Sequence, residues 1–467
     1  MIHKHSHAQH LMIHKHSHAQ HLMIHKHSHA QHLMIHKHSH ASVKQNPAVS
    51  YSLVRDGQPE SDPSPRLDPP KYSNSHGTYC AGVVAAVANN GVCGVGVAYN
   101  ASVGVSVKHN VLSLPAVWRC RGAHRGRHSD GRAGGTALSR HVEEVAVFSA
   151  SWGPKDDGGH VEGPGSLARR ALLYGVTAGR SGHCLRVGSG NGGVLEDNCN
   201  LDGYASSIYT LTVSALTDTG QSTFYAEPCA ATLAGVFVGG QHTLEAALDK
   251  QRLQMKVVVP ELDGHCSNRF QGSSAAAPLM AGVAALVLQA NPNLSWRDVQ
   301  HLVVAETTPT PAALTEHGWH TNARGKKFHL LQGFGAINAG RMVEAALTWH
   351  NVGPQLTENL ILLVGKSKLP HGWTNVSQEV SEASPMKAVE QVVAAITLNH
   401  PKRSLLSIYI VSPSVPLQPE KKRVSNTRSI TLLKQDVRGY WPKLSVPGFG
   451  MGTIVLRVQA AGRYPSL

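Results

Sequence analysis

The chain is short of acids, of aromatic residues and of long apolar runs. Asp and Glu together number 29 against 43 Lys and Arg, a formal net charge of +14. No acid at all precedes Asp56. Aromatic residues make up 5% of the chain, and none is interleaved among the arginines of residues 119–132. That removes the stacking platforms on which a single-stranded nucleic-acid binder relies. No apolar run reaches the roughly 20 residues of a membrane-spanning helix. The longest candidate, "PLMAGVAALVLQA" at 278–290, reads as a buried helix. Seven cysteines include no CxxC pair, which argues against a zinc ribbon, and they are too sparse for a disulfide-dense miniprotein. The chain does not open on a basic segment followed by an apolar one, so its start is not read as a signal peptide.

What is present suits a globular protein. The 467 residues are enough for two or three domains with cores of their own, and 45 glycines fit an architecture of many tight turns. The positive charge is concentrated in two places. One is the tandem repeat of residues 1–41, "MIHKHSHAQHL" three times and then "MIHKHSHA", which holds about half of the 31 histidines. It is too polar to form a core, and it reads as low-complexity sequence with adventitious metal affinity. The other is "WRCRGAHRGRHSDGRAGG", which has neither helical nor strand periodicity. It reads as a solvated loop rather than a nucleic-acid arm, so no nucleic-acid partner is expected.

Residues 42–350 form the second unit. "HGTYCAGVVAAVANN" is a small-residue helix stopped at Asn-Asn-Gly, while "VAVFSASWG" (145–153) and "SIYTLTVSA" (207–215) are compact apolar strands suited to a buried parallel sheet. "GSLARRALLYGV" reads as the crossover helix between them, and Ser295 with Asp298 as a helix N-cap pair. This alternation predicts an α/β fold, a doubly wound and mostly parallel sheet. Beyond about residue 350, "VEQVVAAITLNH", "SLLSIYIVSPS" and "MGTIVLRVQ" read as strands of a smaller β domain over residues 351–467.

Three short stretches carry chemistry. Ser274 in "GSSAAAPLMAG" opens an apolar helix, where backbone N–H groups and the helix dipole favour a developing oxyanion. Asn191 in "GSGNGG" follows a short strand and has a side-chain amide to offer as a second donor. His76 in "NSHGTYCAG" opens another small-residue helix. Taken in chain order, these three resemble the subtilisin-type serine proteases, whose triad runs Asp, His, Ser. "SASWGPKDDG", "SGNGG", "DGYASSIYTLTV", "YAEPCA" and "WRDVQHLVV" narrow the resemblance to the kexin/furin-like proprotein convertases, with details that incline to the type 7 convertases.

The resemblance implies a subtilisin-like fold followed by a degraded β-sandwich of the P-domain type. It implies His76 as general base, Ser274 as nucleophile and Asn191 as oxyanion donor. Asp156 and Asp202 match the carboxylates that read a basic residue in the first subsite, and Glu162 and Tyr204 match the fourth. Asp156, Asp197 and Glu227 match a calcium site, calcium being the implied cofactor. Cys93–Cys266 and Cys199–Cys229 match the family's disulfides, Cys80 matches an unpaired cysteine, and Cys120 and Cys184 are extra. The implied substrates are protein precursors with basic cleavage sites in the secretory pathway, and three sequons, at Asn100, Asn293 and Asn375, are compatible with that route.

The pattern breaks at the N-terminus. The family's catalytic Asp stands about forty residues before the histidine, which here falls in the acid-free repeat. The strand bearing it is expected to be missing, opening one side of the sheet. The departures are segmental, as in an incomplete gene model. Two other readings follow: a basic-peptide-binding protein that does not cut, or a histidine-rich metal-binding protein.

Overall fold

The computed structural model describes residues 32–34, 43–55, 58–60, 75–104, 106–107, 129–180, 183–248, 257–262, 264–322, 325–357, 372–379, 390, 406–411, 429–432 and 453–460. Its centre is a six-stranded sheet in which every neighbouring pair is parallel. Across the sheet the strands are β4 (Ser102–Gly104), β1 (His32–Met34), β6 (Val145–Ala150), β7 (Cys184–Gly188), β8 (Thr210–Leu216) and β9 (Thr232–Phe237). The helices are α1 (His76–Ala85), α2 (Ser129–Ser139), α3 (Ser166–Ala178), α4 (Leu244–Leu248), α5 (Ser273–Ala290), α6 (Trp296–Glu306) and α7 (Ala339–Leu347).

The sheet is covered on both faces, as apolar strands of this kind require. Alternation along the strands divides the core in two. Leu211, Val213 and Ala215 of β8 join α1, α5 and α6 in one cluster. Val145 and Phe148 of β6 and Leu185 and Val187 of β7 join Ala137 and Leu138 of α2 and Ala168, Ala171 and Leu172 of α3 in the other. This is the expected doubly wound arrangement. Smaller pieces surround it: β2 (Tyr51–Arg55) with β3 (Gln58–Glu60) and β5 (Ser106–Val107), the hairpin β10 (Val257–Pro260) with β11 (Cys266–Phe270), and the pair β12 (His320–Thr321) and β13 (Lys327–Phe328). Towards the C-terminus β14 (Gly372–Glu379), β15 (Leu406–Val411), β16 (Ser429–Leu432) and β17 (Thr453–Ala460) form an antiparallel sheet in the order β14-β17-β15-β16.

Three expectations change. The place in the sheet expected to stand open is filled by β1, three residues of the histidine repeat itself, paired in parallel with both β4 and β6. The basic stretch read as a loop runs into α2, which begins within it at Ser129. Its Gly135 lets α3 approach so closely that a Cβ there would lie 2.9 Å from that of Leu167. Tertiary packing thus overrides the poor helix propensity of its glycines. Helix α1 ends at Ala85, before the Asn-Asn-Gly signal. The returning chain takes over its last carbonyls, as Gly96, Val97 and Ala98 N–H donate to Ala86, Val83 and Val84. The apolar 18-residue α5 is long enough to cross a membrane, but 78% of it is buried inside the protein. Of the later strands, β15 and β17 fall where the sequence places them, β14 was not foreseen, and the strand expected at 389–400 lies outside the described residues apart from Glu390. The capping box of Ser295 and Asp298 forms as read.

Candidate active site

Ser274 is the second residue of α5 and is buried. Four residues later stands Pro278, which has no N–H to return to the Ser274 carbonyl. That carbonyl is satisfied from outside the helix, by the Ser151 hydroxyl at 2.8 Å and the Cys80 thiol at 3.9 Å. The helix N-terminus is likewise capped from outside. Gly272, at φ +86°, cannot cap it with a side chain, and a Cβ there would lie 2.8 Å from Asn191 Oδ1. Instead Asn191 Oδ1 accepts from Ser273 N at 2.8 Å, and Gly190 N donates to Ser273 Oγ at 3.2 Å. The "GSGNGG" turn is thereby stitched to the start of α5. Asn191 Oδ1 is committed to this contact, which leaves Nδ2 as the side chain's donor.

His76 is the first residue of α1. Cys80, one turn on, places Sγ 3.9 Å from His76 Nδ1 and 3.9 Å from the Ser274 carbonyl oxygen. One buried thiol therefore touches the candidate base and the candidate nucleophile's backbone together. Burial pushes the Cys80 pKa up to about 12, so it is a neutral filler at ordinary pH. Phe270 meets the His76 ring edge-on, with centroids 5.5 Å apart.

Beside Asn191 lies a group of carboxylates. Asp156 Oδ2 accepts from Asn191 N at 2.8 Å, Glu227 Oε1 from Gly192 N at 2.8 Å, and Asp197 Oδ1 from Asn198 N at 2.7 Å. Asp202 Oδ1 accepts from Tyr204 N at 2.7 Å. Burial is the first cause that raises all four pKa values, and repulsion from neighbouring carboxylates, Asp157 among them, adds to it. Asp202 reaches about 7 and Glu227 about 9. Asn191's backbone and side-chain amides pull Asp156 back down. Glu162 is exposed, and its backbone brackets Asp202, with Gly203 N donating to Glu162 O at 2.8 Å and Glu162 N to Leu201 O at 3.2 Å. Tyr204 is buried edge-on against Trp152, 4.9 Å between centroids. Disulfides join Cys93 to Cys266 and Cys199 to Cys229, while Cys80 and Cys184 are buried thiols. Cys120 lies outside the described residues.

A model of the subtilase family matches residues 31–335, a span that opens at β1 and takes in His76, Asn191 and Ser274. The chain belongs to the subtilase family. Within it, the chain is similar to proprotein convertases. It is 40% identical over 374 residues to furin-1 of Xenopus laevis, covering 79% of this chain and 44% of that protein. It is 39% identical over 385 residues to human proprotein convertase subtilisin/kexin type 7, again covering 79% and 44%. The chain thus spans less than half the length of the curated relatives it matches. Among solved structures, a serine protease of Aeromonas sobria in complex with its chaperone aligns with a TM-score of 0.69 at 19% identity, over 92% of this chain and 81% of that one. That likeness is one of fold.

In this subtilase chain Cys80 Sγ lies 3.9 Å from both His76 Nδ1 and the Ser274 carbonyl oxygen, and Asn191 is joined to the start of α5. Sequence reasoning missed the parts that hold them. Ser151, the second serine of the recognised "SASWGPKDDG", had a signal in that motif. Gly272 had one in preceding the serine, whereas Glu261, described below, had none.

Proposed function

We propose that this subtilase chain is a serine endopeptidase of the proprotein convertase type, cleaving protein precursors after basic residues. The observation that carries the reading is the joint placement of His76 and Ser274 at two helix N-termini around Cys80, with Asn191 bound to the second. In this reading Ser274 Oγ attacks the scissile carbonyl, and His76 takes its proton and returns it to the leaving amine. Asn191 Nδ2 and the α5 backbone N–H groups receive the oxyanion. Asp156 and Asp202 hold the substrate's cation by charge-assisted hydrogen bonds, and Glu162 and Tyr204 contribute further along the peptide.

Among the described residues we assign no acid as the third triad member. No acid precedes Asp56, and β1 consists of His32, Leu33 and Met34. Absence of that acid costs on the order of 10⁴ in kcat in such enzymes, because the imidazole loses its preferred tautomer and orientation. A slow enzyme is therefore expected. The same absence favours a second reading, a protein that holds basic peptides and does not cut them.

Calcium is the cofactor we assign to Asp156, Asp197 and Glu227. Its chemistry fits these groups, which are hard oxygen donors, buried, mutually repelling and without a Lys or Arg partner among the described residues. No three His, Cys, Asp or Glu side chains among the described residues meet at one metal-binding point. The ion, when bound, would neutralise the cluster. The two disulfides favour an oxidising, secretory setting. Peptides with Arg or Phe before the scissile bond test the reading. Calcium-dependent turnover of the Arg peptide alone, abolished by Ser274→Ala and weakened by Asp202→Asn, is expected. Binding of the Arg peptide without turnover would establish the second reading instead.

A further inference from the structure

Helix α1 opens on Ser75 and His76, yet Ser75 makes no side-chain capping bond to its own helix. Its hydroxyl turns away and donates to Glu261 Oε1. Tyr79, one turn further on, donates its hydroxyl to Glu261 Oε2. Both oxygens of this buried carboxylate are thus committed to residues on either side of His76, and Leu262 N adds a third bond at 3.0 Å. Glu261 itself is fixed in the turn between β10 and β11, where its N–H donates to His265 O at 2.7 Å. The Cys93–Cys266 disulfide ties that hairpin to the loop after α1. At the hairpin's far end Phe270 touches both His76 and Tyr79, at 5.5 and 5.4 Å between centroids. Two residues beyond Phe270, Gly272 leads into Ser274. The hairpin therefore grips the helix of the candidate base at one end and runs into the helix of the candidate nucleophile at the other.

We propose that Glu261 is a positioning residue for His76, setting the orientation of the imidazole at the start of α1 by fixing Ser75 and Tyr79. The proposal rests on the reading of His76 as general base. It assigns Glu261 no contact with substrate, since both its oxygens are occupied by α1. Its importance is greatest in a chain with no acid on β1, where orientation of the imidazole depends on the helix that carries it. A shift of the first turn of α1 by a fraction of an ångström would misalign the proton transfer, an effect that reaches roughly a hundredfold for a displacement of about 1 Å.

The test uses a phosphonate inhibitor with a P1 Arg, on the full chain with calcium present. Saturable inactivation gives a maximal rate and a half-saturating concentration. Glu261→Ala should lower the maximal rate roughly ten- to a hundredfold, with the half-saturating concentration unchanged. Glu261→Gln, which keeps a hydrogen-bonding group for both hydroxyls, should recover most of the loss. A second readout needs no catalysis: carbethoxylation of His76 by diethyl pyrocarbonate, followed by mass spectrometry with His76→Gln identifying the peptide. It should run severalfold faster in Glu261→Ala than in the parent chain. If the parent chain is not inactivated at all, the proposed function fails and carbethoxylation alone decides the role of Glu261. If Glu261→Ala does not fold, Tyr79→Phe and Glu261→Gln are compared in its place. Parent-like maximal rate or parent-like carbethoxylation in a folded variant would overturn the proposal.

Discussion

At the scale of single residues, one buried cation and four buried carboxylates set expectations for stability. Arg186 stands in the middle of β7 with its side chain fully buried. One nitrogen, Nη1, donates to the Cys184 carbonyl, while Nε and Nη2 have no hydrogen-bond partner. Burial lowers its pKa accordingly. Replacing it by an apolar residue of similar reach removes that desolvation cost, so Arg186→Leu should stabilise the fold by roughly 1–3 kcal/mol. A urea midpoint equal to or below that of the parent would contradict this. The carboxylates Asp156, Asp197, Asp202 and Glu227 give a dependence on pH with a definite sign. Their folded pKa values lie above the ordinary carboxylate range, Glu227 at about 9 and Asp202 at about 7. The folded state therefore holds protons that the unfolded state releases, a contribution complete below pH ~4 and lost as pH rises towards 9. Without divalent cations, thermal midpoints should fall across that window, and millimolar calcium should restore them most at its alkaline end. Midpoints indifferent to calcium at pH 8–9 would count against the assigned ion.

At the scale of elements, the start of α5 is the most constrained piece of the molecule. Gly272 combines a positive φ with a close approach to Asn191 Oδ1. Gly272→Ala should lower stability by about 1–3 kcal/mol and displace Asn191, reducing phosphonate labelling of Ser274 more than the fall in stability explains. An alanine variant with parent-like stability and labelling would show the turn to be permissive. The sequence disclosed this region well, because small residues, a proline and an apolar helix have few alternative uses together. It disclosed β6, β8, α3 and the capping box of α6 for the same reason, since local pattern and tertiary packing agree there. It did not disclose α2, whose glycines argue against a helix until α3 is laid beside them. Nor did it disclose β1. Three residues, His32-Leu33-Met34, are too short for any periodicity, and only pairing with β4 and β6 makes them a strand. Glu261 was illegible because Ser75 and Tyr79, its partners, lie more than 180 positions away in sequence.

At the scale of the whole molecule, the repeat is both the least protein-like part of the sequence and the source of a central strand. A strand at that place is paired on both edges, so its loss would unpair β4 and β6 together. Deletion of residues 1–41 should lower the thermal midpoint markedly or abolish cooperative unfolding, as calorimetry would show. A repeat that served only as a solvated tail would leave the transition unchanged. The same architecture places His76 and Ser274 at the N-termini of two packed helices, and the central claim is that they form a working, if slow, pair. Its most direct test is covalent labelling of the calcium-loaded, folded chain by the P1 Arg phosphonate, with the adduct located by mass spectrometry. The account predicts slow, stoichiometric modification of Ser274, lost in both Ser274→Ala and His76→Ala. A folded chain that takes up no label, or a label that survives Ser274→Ala, would contradict it.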